Sequence, residues 1–98
     1  MMEKLEKNIT LSRKITIKNL LGIHARPAAK IAEVVKKAKQ DVWLSTLHNK
    51  VDAGSIIDIL TLGGSMGTEI LINVETPEDI NILTELCDLF ESKFGEEI

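Results

Sequence analysis

The run Gly22-Ile23-His24-Ala25-Arg26-Pro27-Ala28-Ala29 holds the side chains of this chain best suited to chemistry. An imidazole such as that of His24 is a nucleophile near neutral pH. The guanidinium of Arg26, two residues on, is a planar fork that matches phosphate oxygens. Pro27 marks a helix start, because the amide it lacks is one that the first turn would leave unbonded. Gly22 supplies a bend just before it. A helix mouth exposes N–H groups and carries about half a positive charge, which favours phosphate. His24 at such a mouth, beside Arg26, points to a histidine that takes a phosphoryl group and an arginine that steadies it. Alone, His24 would be a loop histidine bonded to backbone, and Arg26 the partner of a surface carboxylate worth about 0–1 kcal/mol. Their shared setting favours the chemical reading. Ala28 and Ala29 keep side chains short near the site, and helix packing explains them equally well.

The elements that must position this run follow from periodicity. Residues 11–18 alternate apolar Leu11, Ile15 and Ile17 with polar neighbours, as a strand does. A helical stripe of Ala28, Ile31, Ala32, Val35 and Ala38 predicts a helix from Ala25 to about Lys39. Residues 41–47 return to strand character, His48-Asn49 reads as a hairpin tip, and residues 50–53 form the returning strand. Ser55, with an acid at Asp58, resembles a capping box and predicts a short helix from Ile56 to about Leu62. Ile70, Ile72 and Val74 mark a last strand over 68–74. Thr76-Pro77-Glu78-Asp79 opens a final helix, whose stripe runs Ile80, Leu83, Cys87, Phe90, Phe94 and Leu86, with Gly95 as its stop. The order is β-α-β-β-α-β-α. Helices with one apolar stripe each need one sheet face to cover, so an α+β fold with helices on one side of an antiparallel sheet is expected.

Other candidate residues are more easily assigned to structure. Ser55 caps a helix, an interaction worth about 1 kcal/mol, and its hydroxyl is also a candidate phosphoserine, since phosphate there would meet the helix dipole. Ile56, Ile57, Ile59, Leu60 and Leu62 are too many for one face of a short helix. Some of them must be exposed or docked; three can be core packing, and a partner-binding patch that includes Ile56 or Ile57 is expected beside His24. The glycine-rich stretch 63–67 lacks the Gly-Lys-Ser/Thr ending of a phosphate-cradling loop and reads as a turn. Trp43 points away from the expected core face. Cys87 reads as buried filler. His24, His48 and Cys87 lack any metal-ligand spacing, so neither a metal nor a cofactor is expected.

Composition narrows the function class. With 98 residues, one domain spanning 11–98 is expected behind a loose polar lead-in at 1–10. Aromatic content of 3% makes the core chiefly aliphatic. A net charge of −3 without a basic stripe disfavours nucleic acid as a partner. One cysteine excludes an internal disulfide and fits a reducing compartment. No apolar run is long enough for membrane insertion, and the start of the chain lacks the apolar core of a signal peptide. A cytoplasmic monomer is expected.

Three segments of the chain resemble the HPr family, the histidine phosphocarriers of the bacterial phosphoenolpyruvate-dependent phosphotransferase system. Gly22-Ile23-His24-Ala25-Arg26-Pro27-Ala28 is similar to that family's active-site signature. Val51-Asp52-Ala53-Gly54-Ser55-Ile56-Ile57 resembles the segment around its regulatory serine. Leu62-Gly63 followed by Gly67-Thr68-Glu69-Ile70 is similar to its turn and last strand. The resemblance covers about residues 13–95. It implies an open-faced β-sandwich, a four-stranded antiparallel sheet with three helices on one face. It also implies that His24 takes a phosphoryl group from Enzyme I on a ring nitrogen and passes it to an enzyme IIA-type acceptor, in sugar uptake or its regulation. The protein would then be a carrier with a phosphohistidine intermediate and not a stand-alone enzyme. Ser55 would be the target of a serine kinase/phosphorylase. Two features depart from the family's pattern: Gly54 stands where many members have a larger, often basic residue, and the lead-in is longer. The ending Leu89-Phe90-Glu91-Ser92-Lys93-Phe94-Gly95-Glu96-Glu97 resembles the family's nitrogen-related branch. Two rivals remain: a non-relay regulatory binding module gated by phosphorylation at Ser55 or His24, and a general acid–base enzyme. The latter needs a carboxylate to orient His24, and none adjoins the motif in sequence.

Overall fold

The structure, a computed structural model, describes residues 11–98, so the lead-in expected at 1–10 lies outside the described residues. The elements are β1 (Ser12–Thr16), α1 (Ala25–Val35), β2 (Val42–Ser45), β3 (Lys50–Asp52), α2 (Ile56–Thr61), β4 (Glu69–Val74) and α3 (Ile80–Glu91). Short 3-10 turns at Pro77–Asp79 and Lys93–Gly95 flank α3. The four strands form one antiparallel sheet in the order β1-β4-β2-β3. Ile15 lies opposite Ile70, Leu44 opposite Ile72 and Val42 opposite Val74, so one face carries the apolar half of each alternation. The three helices cover that face, as expected. Ala28, Ile31, Ala32 and Val34 of α1, Ile59 of α2 and Leu83, Leu86 and Phe90 of α3 are buried against it. Truncating Ile31, Ile59, Leu83 or Leu86 to alanine costs about 2–5 kcal/mol, because the cavity left behind closes only in part.

Two helix ends differ from expectation. Helix α1 stops at Val35 and not near Lys39. Beyond it the chain tightens into turns closed by Lys37 N–H to Val34 O and Ala38 N–H to Val35 O, at 3.1 and 2.9 Å. The next amides are taken by Asp79, a carboxylate only 1% exposed that accepts from Lys39 and Gln40 N–H at 3.0 Å. A long-range acceptor thus competes with the helix, and local pattern cannot show it. At the other end, α3 stops at Glu91, and Phe94 reaches the core from outside the helix. Lys93, Phe94 and Gly95 all adopt positive φ, of 57°, 56° and 80°. Phe94 meets Phe90 edge-on at 4.8 Å, an arrangement that adds about 0.5–1.5 kcal/mol beyond area burial.

The solvent side of the sheet is polar. Trp43 is half-buried there, as its position in the alternation suggested: its Nε1 donates to Glu75 at 2.8 Å, and Lys50 Nζ sits 4.8 Å from the ring centroid. At the β2–β3 tip, Thr46 Oγ1 accepts from His48 and Asn49 N–H at 3.3 Å, which makes His48 a turn residue.

Candidate functional site

His24 is placed by the connection between β1 and α1, and that connection rests on two glycines. Asn19, fully buried, donates from Nδ2 to Gly22 O at 2.7 Å, while Gly22 N–H returns to Asn19 O at 3.1 Å. This closes a tight turn in which Gly22 takes φ +67°. A Cβ on Gly22 would lie 2.4 Å from Gly64 O, and one on Gly64 would lie 2.6 Å from Ile17 Cδ1. A side chain is excluded at Gly22, where the obstacles are backbone atoms, and one at Gly64 would force the buried Ile17 side chain to move; the next residue bonds across the gap, Ile23 N–H to Gly64 O at 2.8 Å. The stretch 63–67 is therefore a turn, as predicted, and also the wall on which the His24 loop lies. Two distant glycines set one backbone contact.

His24 itself is the N-cap residue of α1, extended at φ −111° and ψ −165°, and its side chain does not cap the helix. The first intrahelical bond runs from Ala28 N–H to His24 O at 3.0 Å. The Ala25 and Arg26 amides precede that bond, and Pro27, buried at the third helical position, has no amide to orphan. Arg26 is exposed and forms no ion pair within 4.0 Å among the described residues. Guanidinium, imidazole and helix mouth thus share one stretch of surface.

The chain's far end completes the site. His24 Nε2 lies 2.6 Å from Glu96 Oε2, and Asn19 Nδ2 donates to Glu96 Oε1 at 2.9 Å. The Asn19 bond is the main cause holding the Glu96 carboxyl below its ordinary range; His24 and the charge on Arg26 add to it. An ionised carboxylate can only accept, so Nε2 carries a proton, and in the neutral ring Nδ1 then keeps its lone pair. The His24 side chain is 37% exposed and that of Glu96 15%, so the acid lies beneath the ring. No motif could have revealed Glu96, which stands 72 residues from His24. The acid that sequence proximity could not supply is supplied by the fold.

Exposed apolar residues lie on the elements that adjoin the His24 loop. Ile56, Ile57 and Leu60 are 42%, 74% and 42% exposed, whereas Ile59 and Leu62 are buried. Leu20, Leu21 and Met66 are more than half exposed as well. Helix α2 packs on α1, and Leu21 and Met66 each adjoin a residue of the Gly22 contact with Gly64 and Ser65. The exposed α2 residues follow from the sequence; Leu20, Leu21 and Met66 do not, although adjacent leucines ahead of Gly22 are a signal for them. The other grooves, lined by Lys14, Leu47 and Leu71 or by Lys30, Lys37 and Leu89, do not include His24. Among the described residues no group of three or more His, Cys, Asp or Glu could hold a metal ion, and no helix is long and apolar enough to cross a membrane.

The family model described as "PTS HPr component phosphorylation site" matches residues 11–92. The chain belongs to the HPr family. Among HPr relatives, the phosphocarrier protein HPr of Xylella fastidiosa is 33% identical over 87 residues, covering 89% of this chain and 98% of that protein. The HPr of Chlamydia trachomatis is 35% identical over 86 residues, covering 88% of this chain and 79% of that protein. The crystal structure of an HPr from Thermoanaerobacter tengcongensis superimposes with a TM-score of 0.84 at 38% identity, covering 91% of this chain and all of that one. The open-faced HPr sandwich expected from the resemblance is the fold observed.

Ser55, at the position that resembles the HPr regulatory serine, is half-exposed, and its Oγ accepts from Asp58 N–H at 3.2 Å. The capping reading is thus visible in the structure. Gly54, where this chain departs from the HPr pattern, donates its N–H to Asp52 Oδ1 at 2.8 Å. A Cβ there would come within 3.2 Å of that same oxygen. Cys87 is buried on α3, and burial pushes its thiol pKa up, with Arg13 opposing. It is packing, as expected.

Proposed function

We propose that this chain is an HPr-type phosphocarrier in which His24 accepts a phosphoryl group and hands it on. The observation that carries the reading is the state of His24: half-exposed at a helix mouth, with Nε2 engaged by Glu96. Nδ1 is then the nucleophilic nitrogen. Its lone pair attacks phosphorus as the bond from phosphorus to the donor breaks, and the donor keeps that electron pair. Arg26 and the first-turn amides face the spread charge of the moving group, and positioning with preset dipoles is most of what such a transfer requires. Pro27 fixes the helix start that aims them. By family resemblance the donor is Enzyme I, charged by phosphoenolpyruvate, and the acceptor an enzyme IIA-type protein, in sugar uptake or its nitrogen-related counterpart. Residues 11–98 act as one unit, and Ile56 and Ile57 belong to the surface on which both partners dock in turn. Ser55 is the regulatory residue of the same scheme: a phosphate on it would add acceptor oxygens and negative charge at the α2 mouth, at the edge of that surface.

The test is intact mass after incubation with Enzyme I and phosphoenolpyruvate, for wild type and His24→Ala. One acid-labile phosphate on the wild type alone supports the carrier. The exposed apolar surface also suits a non-relay regulatory module gated at Ser55 or His24. No added mass beside an active Enzyme I control would leave that reading in its place.

A further inference from the structure

Several independent features of the chain converge on one carboxylate. Lys93 and Phe94 hold positive φ without being glycine, a conformation that surrounding structure must enforce. Phe94, 1% exposed, is fixed by the core, and Lys30 Nζ donates to Phe94 O at 2.6 Å. Past Gly95 the chain returns to the β1–α1 loop, where Leu20 N–H donates to Ile98 O at 3.0 Å. Between these anchors lies Glu96, one oxygen on Asn19 and the other on His24. Asn19 is fully buried, and its Oδ1 has no hydrogen-bond partner. Turning the amide would satisfy neither Gly22 O nor Glu96. The asparagine is committed through its NH2 alone, at the expense of a stranded acceptor.

We propose that Glu96, delivered by this left-handed C-terminal turn, is the positioning residue of the transfer: it fixes the Nε2–H form of His24 and faces the positive ring created when Nδ1 takes the phosphoryl group. The proposal rests on the carrier reading for its second half only. When the Nδ1–phosphorus bond forms, the ring gains positive charge, and the Nε2 proton stays between the ring and Glu96. No proton has to leave. The buried acid of a Ser-His-Asp triad holds its imidazole by the same logic. Arg26, on the adjoining turn, neutralises part of the Glu96 charge and faces the incoming phosphate. Glu97, next in the chain, is exposed and bonds to neither ring nitrogen.

Glu96→Gln is the informative variant. A glutamine offers one oxygen where two donors, Asn19 and His24, now each have their own. Turning its NH2 toward the ring would demand an acceptor at Nε2 and so shift the proton to Nδ1. The readout is the imidazole nitrogen resonances of protein labelled with 15N-histidine, followed upward in pH until the His24 signals stop moving, so that the neutral rings are compared. The wild type is expected to show the Nε2–H form, and the variant a mixture with a substantial Nδ1–H share. Phosphorylation by Enzyme I and phosphoenolpyruvate, followed by mass, is expected to slow by about ten- to a hundredfold, the range seen when the carboxylate partner of a metal-ligating histidine is removed. An unchanged tautomer ratio overturns the proposal whatever happens to the rate, and so does an unchanged rate with a shifted ratio. If the wild type takes no phosphate at all, the carrier reading fails, while the tautomer comparison still decides whether Glu96 orients the ring.

Discussion

Replacing Gly22 with alanine tests whether the His24 loop is held by backbone contact alone. Two penalties are readable from the structure. The first is the left-handed conformation at φ +67°, which costs a side chain about 1–2 kcal/mol. The second is the clash: the added methyl would lie 2.4 Å from Gly64 O and 2.9 Å from Ser65 Cα, both backbone atoms. No rotamer relieves that, so the loop must part from the 63–67 turn. Parting breaks the bond from Ile23 N–H to Gly64 O, and an unsatisfied buried donor costs about 1–3 kcal/mol. Together Gly22→Ala should lose about 2–5 kcal/mol. Gly63→Ala is the internal control, because φ is +73° there and nothing lies within 4 Å of a Cβ. It should lose only the conformational part, about 1–2 kcal/mol. Urea unfolding of the two variants gives the comparison, and in a domain of this size each 1 kcal/mol moves the melting temperature by about 4–8 °C. Equal losses for the two would refute the close-approach argument and leave only backbone preference.

Asp79→Ala strands the Lys39 and Gln40 amides and should lose about 2–4 kcal/mol in urea titration; a loss under about 1 kcal/mol would mean that water replaces the carboxylate freely. The Cys87 thiol, pushed up by burial, should react with a disulfide reagent near pH 8 at least about a hundredfold more slowly folded than unfolded. Equal rates would show the thiol to be accessible. The Glu96 carboxyl titrates below its ordinary value of 4.5 in the folded protein, so the unfolded chain binds the proton first as pH falls. Its stabilising share is present above that ordinary value and is lost as pH drops through the lower folded one. Unfolding midpoints of wild type and Glu96→Gln should therefore draw together between about pH 6 and pH 3, and a constant gap would contradict the linkage.

The sheet, the three helices and the helix mouth at His24 were all legible in the sequence, because each is written in local periodicity or in a short run of residue types. Ser55 with Asp58 announced its cap, and Thr76 with Pro77 announced a helix start that the structure makes a 3-10 turn leading into α3. Long-range partnerships were not legible. Asp79 shortens α1 from 40 residues away, and Gly64 supports Gly22 through a contact only the fold creates. Phe94 fitted the α3 stripe so well that its true path, through a left-handed turn, was hidden by the agreement. Glu96 is the sharpest case: an acid in a charged tail becomes the nearest polar neighbour of the site histidine.

The strand order has a consequence for how the molecule comes into being. The strand β4 lies between β1 and β2 in the sheet yet is the last of the four to leave the ribosome. Until residues 69–74 emerge, β1 has no neighbour at all, and β2 has only the short β3. A nascent chain ending before β4 can close the β2–β3 hairpin and little else, since pairings between distant segments wait on loop closure and slow folding. Assembly of the sheet thus waits for its last strand, and β4 arrives as the keystone that joins two previously separate halves.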